Sequence, residues 1–141
     1  MTSPNPHDLP RIDEQRCWDL LRSHAYGRLA VAAAGVIDIY PVNHGVLEGS
    51  LCFRTAEGTK LASVVVGRDV AFEIDEVADG VARSVVVHGR AEVVEDAELL
   101  GRLDGAGVES YAPTVKTVWV RVTPERIDGR EFEVGPEPPR E

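Results

Sequence analysis

The sequence predicts an all-β to α+β fold: a six-stranded antiparallel barrel, closed or partly closed, with short peripheral helices. Three observations lead there. Apolar and polar residues alternate with period two around Phe72, Val86 and Trp119, as in strands buried on one face. Glu48-Gly49 and Asp79-Gly80 separate such runs by two residues, the signature of tight hairpins. No alternation of strand and long helix is present, and no G-x-G-x-x-G, so a doubly wound dinucleotide domain is not expected.

The elements follow in order. Residues 1–11, polar and Pro-rich, read as a flexible arm ahead of one domain at 12–132, with a disordered tail at 133–141. Asp13 can cap a helix over 13–25, in which Cys17, Trp18, Leu20 and Leu21 recur at helical spacing. Gly27 would end that helix in a left-handed conformation. Strands are expected at 28–33 and 36–42. Pro41 marks an edge or a bulge in the second, because proline cannot donate to a ladder. A return strand carries Leu51 and Phe53, and residues 58–66 form a short helix. Val70, Phe72 and Ile74 lie on a strand paired with a long one over 81–94, where Gly89 marks a bend or bulge. A helix at 96–103, capped by Asp96, and a flexible link at Gly105 and Gly107 precede the last strand, 114–123. Trp18 and Trp119 are expected in the core.

Composition narrows the function. The chain has 141 residues, 43% of them hydrophobic, which suits one soluble domain. No apolar stretch approaches the roughly 18 residues of a membrane span, and the N-terminus lacks the pattern of a secretory signal. A net charge of −9, with arginines scattered among acids, disfavours nucleic acid and anionic membranes as partners. Cys17 and Cys52 form no C-x-x-C pair and read as buried free thiols, in keeping with a reducing, cytoplasmic setting. His7, His24, His44 and His88 show no ligand spacing, so no metal site is expected. His44 reads as a surface strand residue.

Chemistry concentrates in Phe53-Arg54-Thr55-Ala56-Glu57-Gly58-Thr59-Lys60. A strand ends, a Gly-containing turn follows and a helix opens. Free N–H groups there, with Arg, Lys and Thr side chains, can cradle one terminal phosphate. Lys60 is one of only two lysines, the other being Lys116. In Tyr40-Pro41-Val42-Asn43-His44 the proline leaves neighbouring backbone available to a ligand, and the Asn amide offers donor and acceptor to the edge of a pyrimidine-like ring. By local motif, Arg83-Ser84 belong to a barrel strand. No catalytic Ser-His-Asp or Cys-His set is suggested, so no catalytic residue is named.

Taken in order, Gly27-Arg28-Leu29-Ala30, Pro41-Val42-Asn43, Phe53-Arg54-Thr55 with Gly58-Thr59-Lys60-Leu61, Val70-Ala71-Phe72-Glu73, Ser84 to Ala91 and Val120 to Arg130 resemble the pyridoxamine 5'-phosphate oxidase-like, FMN-binding split-barrel family. The resemblance covers about residues 12–132. It implies a six-stranded split barrel that binds FMN as a homodimer, with the cofactor at the dimer interface, and an oxidoreductase acting on a small-molecule substrate. Thr55, Thr59 and Lys60 would hold the phosphate with Arg54 nearby. Backbone around Val42 and Asn43 would meet the isoalloxazine, and Ser84 with Arg83 would approach from the strand across the interface. Gly58-Thr59 in the phosphate loop and Gly129-Arg130 after the final strand depart from the vitamin-synthesis oxidases, and their C-terminal substrate-binding Arg and His have no clear match here. These departures point away from pyridoxamine phosphate as substrate. A deazaflavin coenzyme, which also carries a phosphate-bearing chain, and a non-catalytic flavin-binding module are the alternatives.

Overall fold

The computed structural model describes residues 10–56, 58–104 and 117–135. Strand β1 (Arg11–Ile12) leads into helix α1 (Glu14–Ser23), whose cap Asp13 accepts a hydrogen bond from the Arg16 amide at 2.8 Å. Strands β2 (Tyr26–Ala33), β3 (Val36–Leu47) and β4 (Ser50–Ala56) follow, then helix α2 (Lys60–Val65). Strands β5 (Asp69–Ala78) and β6 (Val81–Val93), helix α3 (Ala97–Asp104) and strand β7 (Thr117–Glu133) complete the order.

All pairings are antiparallel, in the order β1-β7-β4-β3-β2-β5-β6, and β6 also pairs with β7. That last ladder closes six strands into a ring, as the sequence predicts, with β1 added outside it. Residues 48 and 79 have φ near +53° and +52°, and the glycines after them +72° and +75°. Two left-handed residues in succession make the hairpin turn whose twist matches the flanking strands.

Four expectations are corrected. Arg11, placed in the arm, pairs with Arg130 on β7. Strand β7 does not stop at 123 but runs to Glu133, placed in the tail, which pairs with Val81. The alternation is interrupted because the ladder slips between His88 and Gly89, where Gly89 faces Pro124 after His88 faces Arg126. Gly27 does not cap α1; it lies inside β2, and His24 closes the helix in an extended conformation. The expected link at Gly105 and Gly107, most of the arm and the end of the tail lie outside the described residues.

Side chains alternate across the wall. Leu29, Val31, Phe53, Phe72, Ile74, Val85, Val87, Val120 and Val122 are buried in the interior, with Cys17 and Leu21 of α1 and Leu61 and Val65 of α2 in the same cluster. Trp18 is half-buried against it. Trp119 is buried elsewhere, on the outside of the wall, where Leu99 and Leu103 of α3 cover it together with Cys52 and Val94. Both cysteines are free and buried.

Candidate functional site

Strands β3 and β4 pair only from His44↔Phe53 to Leu47↔Ser50. Beyond His44, β3 keeps only β2 as a partner and β4 only β7. The barrel is split at this point, and Pro41, which has no N–H, lies on the unpaired edge opposite Arg28. Helix α2 packs against both β2 and β4, and at its start Thr59 meets Thr55 of β4 while Lys60 meets Asp38 of β3.

The structure brings Thr55, Thr59 and Lys60 together there. Thr59 caps α2: its Oγ1 accepts from the Ala62 amide at 3.2 Å and donates to the Ala56 carbonyl at 2.8 Å. Thr55 Oγ1 lies 3.2 Å from Thr59 Oγ1 and is buried. Lys60 Nζ reaches across the split to Asp38 Oδ2 on β3 at 3.1 Å. Hydrogen bonding to Asp38, with Tyr40 close by, raises the Lys60 pKa above its ordinary value. The Tyr40 hydroxyl is buried with no hydrogen-bond partner among the described residues. The helix itself contributes little as an anion site. It is only six residues long, and its cap already uses one free N–H.

The remaining predicted residues divide between two faces. Val42 is buried, paired with Gly27, and points inward; Asn43, paired with Tyr26, points outward. Arg54 faces away from Thr55 because neighbours on a strand alternate. Its guanidinium carbon lies 5.4 Å from the Trp119 ring centroid, a cation–π arrangement, and its buried Nε has no hydrogen-bond partner among the described residues. Ser84 points outward on β6. Arg83, beside it in sequence, points to the other face and is held by Glu131 at 3.0 Å and Glu76 at 3.3 Å. Glu76 also meets His24 Nε2 at 2.8 Å, and the two partners hold its carboxyl pKa below the ordinary value. Arg83 is thus committed to an ionic network that Ser84 does not share.

His44, expected on the surface, is 5% exposed. Its Nε2 donates to the Leu21 carbonyl at the end of α1 at 2.7 Å, and its ring meets Phe72 edge-on at 4.8 Å. Burial lowers its pKa, which makes it a neutral pin between helix and barrel. The strand alternation carries the signal for this: His44 shares the inward register of Val42.

On the outer wall, Ala30, Ala32, Ile37, Ala71 and His88 line a concavity of about 450 Å³. Next to it Ile37 is 72% and Ile39 66% exposed. No helix among the described residues is long and apolar enough to cross a membrane.

Comparisons with known proteins cover most of this fold. The chain is 43% identical over 93 residues to the uncharacterized protein Rv3129 of Mycobacterium tuberculosis, spanning 64% of this chain and 83% of that one. It is similar in structure to a candidate pyridoxamine 5'-phosphate oxidase of Corynebacterium glutamicum, with TM-score 0.81, 40% identity and coverage of 89% of this chain and 99% of that one. It is equally similar to an FAD binding protein of Mycobacterium smegmatis, with TM-score 0.81, 39% identity and coverage of 89% and 100%. The model of the pyridoxamine 5'-phosphate oxidase family matches residues 13–131. The chain therefore belongs to the pyridoxamine 5'-phosphate oxidase family.

Proposed function

We propose that this protein binds a phosphate-bearing flavin and serves as a flavin-dependent oxidoreductase on a small-molecule substrate. The observation that carries the reading is the similarity, over nearly the whole length of both chains, to the FAD binding protein of M. smegmatis. The split between β3 and β4 fits such a group. A lysine, two threonine hydroxyls and a buried tyrosine hydroxyl, unpartnered among the described residues, gather around it. Phosphate oxygens accept from all of these donor types.

In this reading Thr55, Thr59 and Lys60 hold the phosphate, with Lys60 giving up Asp38 and the Thr59 hydroxyl giving up the Ala56 carbonyl to do so. The backbone of Val42 and Asn43, where β3 has lost β4 as a partner, meets the edge of the ring system. Arg54 bounds the outer side, and Ser84, which stands opposite Arg130 far along β7 from Arg54's partner Trp119, would come from the second copy across the interface. A bound flavin supplies the redox chemistry; the chain supplies binding, orientation and exclusion of water. FMN is the coenzyme that the family resemblance favours, and the M. smegmatis neighbour makes FAD the second reading. Two copies of the chain would complete the site, joined through the outer wall that exposes Ile37 and Ile39. A specific dimer of this kind buries more than about 1,200 Å².

The test is an absorbance spectrum and a cofactor mass for the protein purified from its native host, with light scattering on the same sample. A yellow dimer carrying FMN or FAD is expected. A deazaflavin mass would replace the coenzyme assignment. A flavin that no electron donor reduces would leave a binding module without turnover. A colourless protein that takes up no flavin on titration would overturn the proposal.

A further inference from the structure

We infer that the outer face of β1, β7 and β6 carries a binding site for a small multivalent oxyanion of the phosphate class. Arg11, Val86, His88, Arg126, Asp128 and Arg130 line a hollow of about 380 Å³ there. That volume lies in the range of small-ligand sites.

The strand register makes this hollow unusual. Arg11 stands directly opposite Arg130, and His88 directly opposite Arg126. Like charges facing one another across a ladder, as Arg11 and Arg130 do, destabilise it, and β1 is only two residues long. Residues 126, 128 and 130 alternate along one strand, so their side chains share a face. The carboxylate in the lining is Asp128, which lies 3.3 Å from Arg130. The Arg130 side chain is only 11% exposed, so it is held in place within the hollow. Arg11 and Arg126 have no salt bridge or side-chain hydrogen bond among the described residues. Among the described residues, three guanidinium groups against one carboxylate leave two positive charges uncompensated, in a chain whose net charge is −9. Glu73, which stands opposite Val86, is taken up by Arg28, and Glu125 and Asp69 line the adjoining concavity. A dianion placed between Arg11, Arg126 and Arg130 removes the repulsion and offers forked donors the planar oxygen pairs that they match.

Two sources have this chemistry: the diphosphate of a flavin dinucleotide, or a separate phosphorylated substrate. The site itself does not depend on the proposed flavin function, and its first test uses no flavin. Inorganic pyrophosphate is titrated calorimetrically into the parent, into the double variant Arg11→Gln/Arg126→Gln and into Arg22→Gln, which removes an exposed cation from α1. Circular dichroism checks that each variant is folded, and Arg126→Gln alone serves if the double variant is not. The parent is expected to bind with an affinity that falls as salt rises, the double variant at least tenfold more weakly, and Arg22→Gln like the parent. No binding by the parent would overturn the site, as would equal binding by parent and double variant or equal weakening in Arg22→Gln. A second titration assigns the source. Competition between FAD and pyrophosphate gives the site to the coenzyme's diphosphate. Undiminished pyrophosphate binding to FAD-loaded protein gives it to a separate anion.

Discussion

Adding one methyl group at Gly27 should destabilise the barrel more than its size suggests. Gly27 faces inward on β2, where the wall leaves it no room for a side chain. A Cβ built there would lie 2.5 Å from Phe72 Cζ, 2.6 Å from the Glu73 carbonyl oxygen and 2.9 Å from Ile74 Cγ2. Ordinary contacts between carbon atoms lie at about 3.5–4.0 Å. The Phe72 and Ile74 side chains are fully packed, and the Glu73 oxygen belongs to the neighbouring β5 backbone. Relief therefore requires β2 and β5 to move apart. Overpacking of this kind costs about 1–3 kcal/mol, and a clash with backbone belongs at the top of that range, about 3 kcal/mol. A chain of 141 residues unfolds with an entropy of about 0.3 kcal/mol/K, so the expected fall in Tm for Gly27→Ala is about 10 °C. Thermal unfolding followed by circular dichroism measures it. Gly101→Ala is the matched control. Gly101 lies in α3 with open space around it, and there alanine should raise stability by about 0.8–1 kcal/mol through helix propensity. A Gly27→Ala protein melting within about 2 °C of the parent would refute the close-approach argument.

The flavin reading predicts that Lys60→Ala weakens FMN binding about ten- to a hundredfold while riboflavin, which lacks the phosphate, binds parent and variant alike. Asp38→Asn, which releases Lys60 and removes a negative charge, should strengthen FMN binding; fluorescence titration reads both. Burial depresses the folded-state pKa of His44 below its ordinary value near 6.5, so the unfolded chain takes up a proton first as pH falls. The stability tied to the neutral ring is present above about pH 6.5 and is lost as the pH drops toward the folded-state value. Urea unfolding between pH 7.5 and 5 should show this loss, and His44→Gln should flatten it. Burial pushes the Cys52 thiol up to about 11, and Cys17 is likewise raised. Neither should react with a thiol reagent at pH 8 in the folded protein, and both should react in denaturant.

The barrel was legible because its wall obeys period two. Phe72 and Ile74, Val85 and Val87, and Val120 and Val122 all alternate with outward residues and are all buried. The far end of β7 was missed because alternation breaks at the Gly89–Pro124 slip. A run containing Pro124 and Gly129 reads as a stop, although the strand passes through both. The same cause hid β1, which is too short to show a period and exists only through its pairing with β7. The grouping of Thr55, Thr59 and Lys60 was legible as a strand-turn-helix segment, since the three lie close in sequence. What sequence could not supply was the partner across the split: Asp38 is 22 positions from Lys60 and meets it only once β3 has peeled away from β4. The different surroundings of Arg83 and Ser84 were not legible for a simpler reason. Adjacent residues on a strand face opposite ways, and Glu76 and Glu131 capture the arginine.

Strand β7 pairs with β1, β4 and β6, and every one of those ladders joins segments far apart in the chain. Closure of the ring therefore waits for the last of the described strands to leave the ribosome. Until then β4 and β6 present open edges, and the interior of Phe53, Phe72 and Val87 has no fourth side. Such non-local closure is slow, and open edges of this kind recruit other chains. A nascent chain arrested before residue 117 would be a species for chaperones to hold, and a stop codon in β7 would yield aggregate rather than a smaller domain.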